Sequence, residues 1–235
     1  MQLLRSTLFS LGFVISTICA SAMSLFIWPL KRNNRYQLLQ FWSVFNVWWM
    51  NKSCNIQYEV HGEENIPKDI PCVIVSNHQS TWETIAFQRV FPSQVYVIKK
   101  ELLWVPFFGL PLRLMSPIVI NRSKKTKARQ QILHQGKQHL DNGLFVIIFP
   151  EGTRAAPKSR SRYSAGGAVL ALKSGYHVLP VFHNSGDCWP KSTFLKQSGI
   201  VHVHIGEPIH TDGKTVKEIN NQVEQWADEQ LKILP

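Results

Sequence analysis

The sequence predicts an α/β domain preceded by a pair of N-terminal membrane-anchoring helices. Three observations lead there. Two long uncharged runs fill most of the first fifty residues, seven short apolar runs of strand length follow, and helical periodicity fills gaps between them. A length of 235 residues suits one domain of the larger single-core kind carrying an appendage. With 44% hydrophobic and 17% charged residues, the chain is too apolar for a disordered or collagen-like protein. Cys19, Cys54, Cys72 and Cys188 form no C-x-x-C pair, so neither a zinc knuckle nor a small disulfide framework is encoded, and a reducing compartment is expected.

The anchor comes first. Residues 6–30 are 25 positions without a charge, long enough at ~1.5 Å per residue to cross a hydrocarbon core of ~30 Å. The second uncharged run, residues 36–51, has only 16, which is short for a span. No acidic residue precedes Glu59, and Trp28, Trp42, Trp48 and Trp49 suit the headgroup level. Two arrangements fit: a helix hairpin that crosses and returns, or two helices dipping into one leaflet. A secretory signal is the rival, because Arg5, the apolar run and Ala20-Ser21-Ala22 imitate one. Against it, the apolar run continues through Leu25-Phe26-Ile27-Trp28, and the Lys31, Arg32 and Arg35 cluster suits the cytoplasmic side of a retained segment. The composition changes near Lys52, so residues 1–52 are expected to form the anchor and residues 53–235 the α/β domain.

Residues 55–60 alternate polar and apolar as a half-buried strand does, and residues 72–75 form the unbroken apolar run of a buried one. Similar runs recur at 95–98, 117–120, 144–149, 178–182 and 200–205. Between them, residues 124–140 place Ala128, Ile132, Gly136 and Leu140 on one helical stripe, and Val216, Ile219, Val223 and Trp226 give the last helix its apolar face. There is no internal repeat and no low-complexity linker.

The net charge of +11 is confined to one stretch. Residues 99–173 hold 14 Lys/Arg against 3 Asp/Glu, while the remainder holds 12 against 12. Nucleic acid, an anionic membrane surface, a phosphate-bearing small molecule or an acidic protein could each explain such a block, as could a solvated basic helix face. The tryptophans cluster in the anchor and not with the basic block, which speaks against stacking on nucleic acid.

Two constellations carry chemistry. In Val75-Ser76-Asn77-His78-Gln79-Ser80-Thr81-Trp82-Glu83 a histidine lies just beyond a buried strand, with a carboxylate five residues later in the first turn of a helix. Neutral imidazole can take the proton of an alcohol attacking an acyl carbon, while a carboxylate on its other nitrogen fixes the tautomer and stabilises the imidazolium. The competing reading is that Ser80-x-x-Glu83 is a capping box serving the helix end alone. The second constellation, Phe149-Pro150-Glu151-Gly152-Thr153-Arg154, follows the strongest apolar run, where open α/β sheets bind ligands. A turn with exposed amides and an arginine fork suits phosphate oxygens, although a plain surface turn reads the same way. Lys99, Lys100 and Arg122 also fall at or just after strand ends, so several cations could converge on one anion.

Taken together these motifs resemble the 1-acylglycerol-3-phosphate acyltransferases, over about residues 55–210. The family's Asn-His-x4-Asp is matched by Asn77-His78 and Glu83. Its Lys-x-Glu-Leu and Pro-x-x-Gly segments are matched by Lys99 to Leu102 and by Pro106 to Gly109, and its Ile-x-Arg by Ile120-Asn121-Arg122. Phe-Pro-Glu-Gly-Thr-Arg is matched in full, and a late apolar element by Val178-Leu179-Pro180-Val181. The resemblance implies a glycerolipid acyltransferase-like mixed sheet flanked by helices. It implies His78 as general base with Glu83 as its orienting partner, and Lys100, Arg122, Glu151, Gly152, Thr153 and Arg154 as substrate-binding positions. The implied reaction moves a fatty acyl group from coenzyme A or acyl carrier protein to the sn-2 hydroxyl of lysophosphatidic acid, giving phosphatidic acid. The thioester is a co-substrate and no cofactor is expected. Membrane lipids are the expected partners, with the catalytic domain on the cytoplasmic face, which in a bacterium means the inner membrane. Another lysolipid as acceptor, or a non-catalytic protein that binds anionic lipid, are the alternatives.

Two departures from the family pattern are visible. Glu83 stands where aspartate is usual, one methylene longer with the same charge. The segment from Arg160 to Gly167 lacks a lysine that many relatives carry before the glycine, for which Arg160 or Arg162 could substitute. No metal site is expected: His202 and His204 alternate on one strand with no third ligand nearby in sequence, and His134 and His139 are five apart on a helix. Cys188 reads as core or loop, and Phe107, Phe108, Leu110 and Leu112 as packing or membrane contact.

Overall fold

The structure, a computed structural model, describes residues 1–121 and 123–234. Two long helices open it, α1 (Gln2–Ile27) and α2 (Arg32–Cys54). There follow β1 (Ile56–His61), β2 (Val73–Ser76), α3 (Trp82–Val90), β3 (Gln94–Lys99), α4 (Gly109–Leu114), β4 (Ile118–Ile120), α5 (Lys125–Asp141), β5 (Phe145–Ile148), α6 (Gly166–Ser174), β6 (Val178–His183), α7 (Ser185–Cys188), β7 (Gly199–Ile205) and α8 (Val216–Ile233). All seven apolar runs are strands, with ends displaced by no more than one residue.

The strands form one mixed sheet in the order β1-β7-β6-β2-β5-β3-β4. Strands β2 to β6 run parallel, whereas β7 pairs antiparallel with β6 and parallel with β1. Helices cover both faces. Phe87 and Ile85 of α3 and Phe9, Val47 and Met50 of α1 and α2 pack with Ile74 and Ile147 on one side. Ala128 and Leu140 of α5, Leu170 of α6 and Ile219 and Val223 of α8 pack with Val73, Val75, Val146 and Ile148 on the other. Burial on both faces is why the central strands are apolar without alternation.

Local chemistry sets the element ends. Helix α2 runs unbroken through the composition change at Lys52 and stops at Asn55, which takes a left-handed conformation at φ 53°. Helix α8 begins with a full capping box, Thr215 and Glu218 each satisfying the other's backbone amide. Gly167 lets α6 lie against β2: a Cβ there would sit 2.5 Å from the Val75 Cγ2.

The helix pair is docked on the sheet domain along its length. The Ser6 hydroxyl accepts the Lys196 amide at 2.8 Å, Phe9 meets Trp189 edge to face at 5.2 Å, and Ile27 packs with Leu39 and Leu114 at the far end. The outward face of α1 leaves Leu4, Leu11, Val14, Ile15 and Leu25 exposed. Among the described residues α1 alone is long and apolar enough to cross a membrane, with a mean hydropathy of 1.9 over its most apolar window.

Candidate active site

Because β5, β2 and β6 are parallel neighbours, the segments leaving their carboxyl ends lie side by side. They are Asn77-His78 after β2, Phe149 to Arg154 after β5, and His183 to Ser185 around the end of β6. Asn77 ties two of them together: its amide donates to the His183 carbonyl at 2.8 Å and accepts the His183 amide at 3.0 Å. The Ala155 amide donates to the His78 carbonyl at 2.7 Å, which ties in the third.

His78 Nδ1 lies 2.6 Å from Glu83 Oε1. Glu83 is fully buried, and the same oxygen accepts the amides of Gln79 at 3.0 Å and Ser80 at 2.9 Å, while Oε2 accepts the Ser185 hydroxyl at 2.9 Å. Burial alone would raise this carboxyl's pKa, but the imidazoles of His183 and His78 and the Ser80 amide outweigh it and hold it low, at about 2. An ionised carboxylate only accepts, so Nδ1 carries a proton, and in the neutral imidazole the lone pair is on Nε2. Among the described residues Nε2 has no hydrogen-bond partner. Phe149 stacks on the ring at 4.3 Å and fixes its plane.

The two readings of Ser80-x-x-Glu83 merge here. Thr81, not Ser80, precedes the first residue of α3, and the Ser80 hydroxyl accepts the Trp82 amide at 3.0 Å. Glu83 therefore gathers loop amides and the imidazole on one oxygen. His183 and Ser185 complete this setting, and sequence reading passed over both. They stand at the end of a buried strand and two residues beyond it, close to the signal that singled out His78.

A cavity of about 720 Å³ opens beside His78. Phe13 and Ala20 of α1, Leu39 and Trp42 of α2, Ile98 of β3 and Leu112 of α4 make it apolar; Lys99, Gly152, Thr153, Arg154 and Lys191 supply its polar wall. The Lys191 amine donates to the Thr153 hydroxyl at 3.3 Å, an additional cation that the motifs did not include. Gly152 turns the loop at φ 71°, a conformation that favours glycine.

The expected substrate-binding positions fall out unevenly. Gly152, Thr153 and Arg154 line the cavity, and Lys99 does so where its neighbour Lys100 stands exposed outside the wall. Arg122 lies outside the described residues. Glu151 accepts the His78 amide at 3.3 Å and the Ser161 amide at 3.4 Å, so it braces the two loops from behind. Burial pushes its carboxyl up to about 7 against those bonds and the nearby Arg160 charge. Arg160 is not available to replace the missing lysine: its guanidinium binds Asp228 through two 2.6 Å bonds on α8. Arg162 is exposed. Burial raises the thiols of Cys72 to about 12 and Cys188 to about 11, which leaves neither as a ready nucleophile.

An imidazole aligned by a buried carboxylate, facing an apolar cavity with cations in its wall, equips an enzyme to move an acyl group onto a hydroxyl. The comparisons agree with that class. The chain belongs to the acyltransferase family, whose model matches residues 57–184. It is 41% identical over 235 residues to the 1-acyl-sn-glycerol-3-phosphate acyltransferase of Pseudomonas aeruginosa, covering 98% of this chain and 91% of that one. It is 31% identical over 167 residues to the human 1-acyl-sn-glycerol-3-phosphate acyltransferase beta, covering 70% of this chain and 60% of the human protein. The crystal structure of the 1-acyl-sn-glycerophosphate (LPA) acyltransferase from Thermotoga maritima superposes with a TM-score of 0.83 at 24% identity, over 99% of this chain and 95% of that chain. The fold, a mixed α/β sheet flanked by helices, is thus that of the solved structure.

Proposed function

We propose that this acyltransferase moves a fatty acyl group from a thioester of coenzyme A or acyl carrier protein to the sn-2 hydroxyl of lysophosphatidic acid. The observation that carries the reading is the 2.6 Å His78–Glu83 pair opening onto an apolar cavity bordered by Arg154 and Lys191. The similarity to the Pseudomonas aeruginosa enzyme supports lysophosphatidic acid as acceptor.

In the proposed step the acceptor hydroxyl oxygen attacks the thioester carbonyl carbon while His78 Nε2 takes its proton. Glu83 stabilises the imidazolium. The tetrahedral intermediate collapses with loss of the C–S bond, and the leaving thiolate takes the proton back from His78. No acyl-enzyme forms. Arg154 and Lys191, with Lys99, hold the acceptor phosphate, and the excess of cations between residues 99 and 173 draws the donor's phosphates or a carrier protein's acidic surface.

The helix pair seats the site at the bilayer. Over the roughly 39 Å that its 26 residues span, α1 keeps contact with the sheet domain from Ser6 to Ile27, so its far end does not leave the domain. That favours two helices dipping into one leaflet with the apolar face of α1 in the acyl region, on the cytoplasmic side that Lys31, Arg32 and Arg35 select. A lysolipid then enters without passing its chain through water, avoiding about 0.8 kcal/mol per exposed CH₂.

The test is thiol release by detergent-purified protein, using coenzyme A and carrier-protein thioesters in parallel, with and without lysophosphatidic acid, for wild type and His78→Ala. Release that needs the lysolipid and is lost with His78 is the expected result and identifies the donor. Release driven better by a different lysolipid, in direct competition, would reassign the acceptor.

A further inference from the structure

Strands β1 and β7 pair in parallel with Glu59 opposite His202 and His61 opposite His204. Strand side chains alternate faces, so positions 59, 61, 202 and 204 share one face, while Val201, Val203 and Ile205 are buried on the other. Three imidazoles and a carboxylate therefore make a two-by-two patch across the pair of strands at the sheet's edge.

The spacing is that of a ligand set. The ligand atoms of Glu59, His61 and His202 lie within 4.8 Å of one another. His202 Nδ1 is 3.4 Å and His61 Nε2 3.8 Å from the same oxygen, Glu59 Oε2. A tetrahedral zinc ion with nitrogen and oxygen ligands at ~2.0–2.1 Å places neighbouring ligand atoms roughly 3.3–3.4 Å apart. Small side-chain rotations close the difference.

His204 stands beside the set. Its ring centroid is 4.8 Å from that of His61, and its Nδ1 lies 2.7 Å from Gln230 Oε1. His61 and His204 also border a surface cavity of about 540 Å³ against Trp226 and Gln230 of α8, through which an ion can arrive.

We propose that Glu59, His61 and His202 bind a divalent transition-metal ion, Zn²⁺ being the fitting occupant, and that the ion clamps edge strand β1 to β7. Two imidazoles and one carboxylate are borderline donors that suit zinc, with a water in the fourth tetrahedral position. None of the three residues lines the catalytic cavity, so the site is separate from acyl transfer. Pairing β1 with β7 supplies the further ligands that His202 lacks along the chain.

Untagged full-length protein in detergent, stripped with a chelator, tests this by titration calorimetry with ZnCl₂, elemental analysis of the desalted complex and thermal melting. The expected result is about one zinc per chain and a raised melting midpoint. His61→Ala with His202→Ala should weaken binding about 100-fold or more and remove the shift. His177→Ala with His210→Ala, a ring pair 4.2 Å apart elsewhere on the surface, should leave both unchanged. Glu59→Gln, which keeps the shape, is the second variant should the double variant fold poorly, and it too should bind more weakly. Absence of saturable binding, or wild-type affinity in the Glu59→Gln or the His61/His202 variant, overturns the proposal.

Discussion

Glu83 carries the sharpest residue-scale test, because one carboxylate oxygen serves both the loop amides and the imidazole. Glu83→Gln keeps an oxygen for the amides of Gln79 and Ser80 but removes the charge that orients and stabilises His78. Acyl transfer should fall by about 10²–10⁴ with the circular dichroism spectrum unchanged. Turnover close to wild type would reduce Glu83 to a loop-bracing role. Glu151 makes a pH-dependent prediction. Its pKa is raised to about 7 by burial from an ordinary 4.5, so the folded state binds its proton more tightly than the unfolded chain does. Its contribution is fully present below the ordinary value and is lost as pH rises through 7. The melting midpoint of wild type should therefore decline relative to Glu151→Gln between about pH 5 and pH 8. A constant difference across that range would mean that Glu151 ionises normally.

At the scale of elements, α1 has one face on the domain and one with none of the described residues against it. Leu11→Lys with Ile15→Lys alters only the outward face, where both residues are more than half exposed. Losing two apolar side chains from the acyl region forfeits about 1.5–3 kcal/mol each, so vesicle association in co-sedimentation should weaken about 100-fold or more while the melting midpoint stays put. Unchanged partitioning would place the membrane contact elsewhere. The α6–β2 contact gives a packing test. Gly167→Val puts a Cβ 2.5 Å from Val75, an overpacking that should cost about 1–3 kcal/mol and lower the midpoint by roughly 2–4 °C per kcal/mol. Stability equal to wild type would mean that β2 and α6 can separate at little cost.

Across the whole molecule, three parallel neighbours bring three distant segments to the carboxyl end of the sheet, and this is what makes a ternary mechanism possible. With Cys72 and Cys188 buried and their thiols raised, incubation with the acyl donor alone should leave no hydroxylamine-labile adduct on the protein. A labelled cysteine that turns over on addition of lysolipid would replace direct transfer with a covalent route.

Much of this architecture was readable from the amino-acid order, and the reason lies in range. The seven strands, the helix over residues 125–141 and the opening apolar pair follow from periodicities within a few residues, which local sterics and two-faced burial impose directly. The spacing of His78 and Glu83 within one turn belongs to the same class. Strand order, the docking of α1 along the domain, the brace from Ser185 to Glu83 across 102 positions and the alignment of Glu59 with His202 do not. They depend on which buried surfaces meet after collapse, a choice made by packing and long-range backbone pairing over the entire chain. Composition and local spacing by themselves determined an α/β domain with an apolar N-terminal segment, and the resemblance of its motifs to a known family added the acyltransferase class. Tertiary structure alone decided that Arg160 belongs to α8, that Lys191 joins the cavity, and that four polar side chains at the sheet edge share one face, because each of those contacts joins positions that no local pattern links.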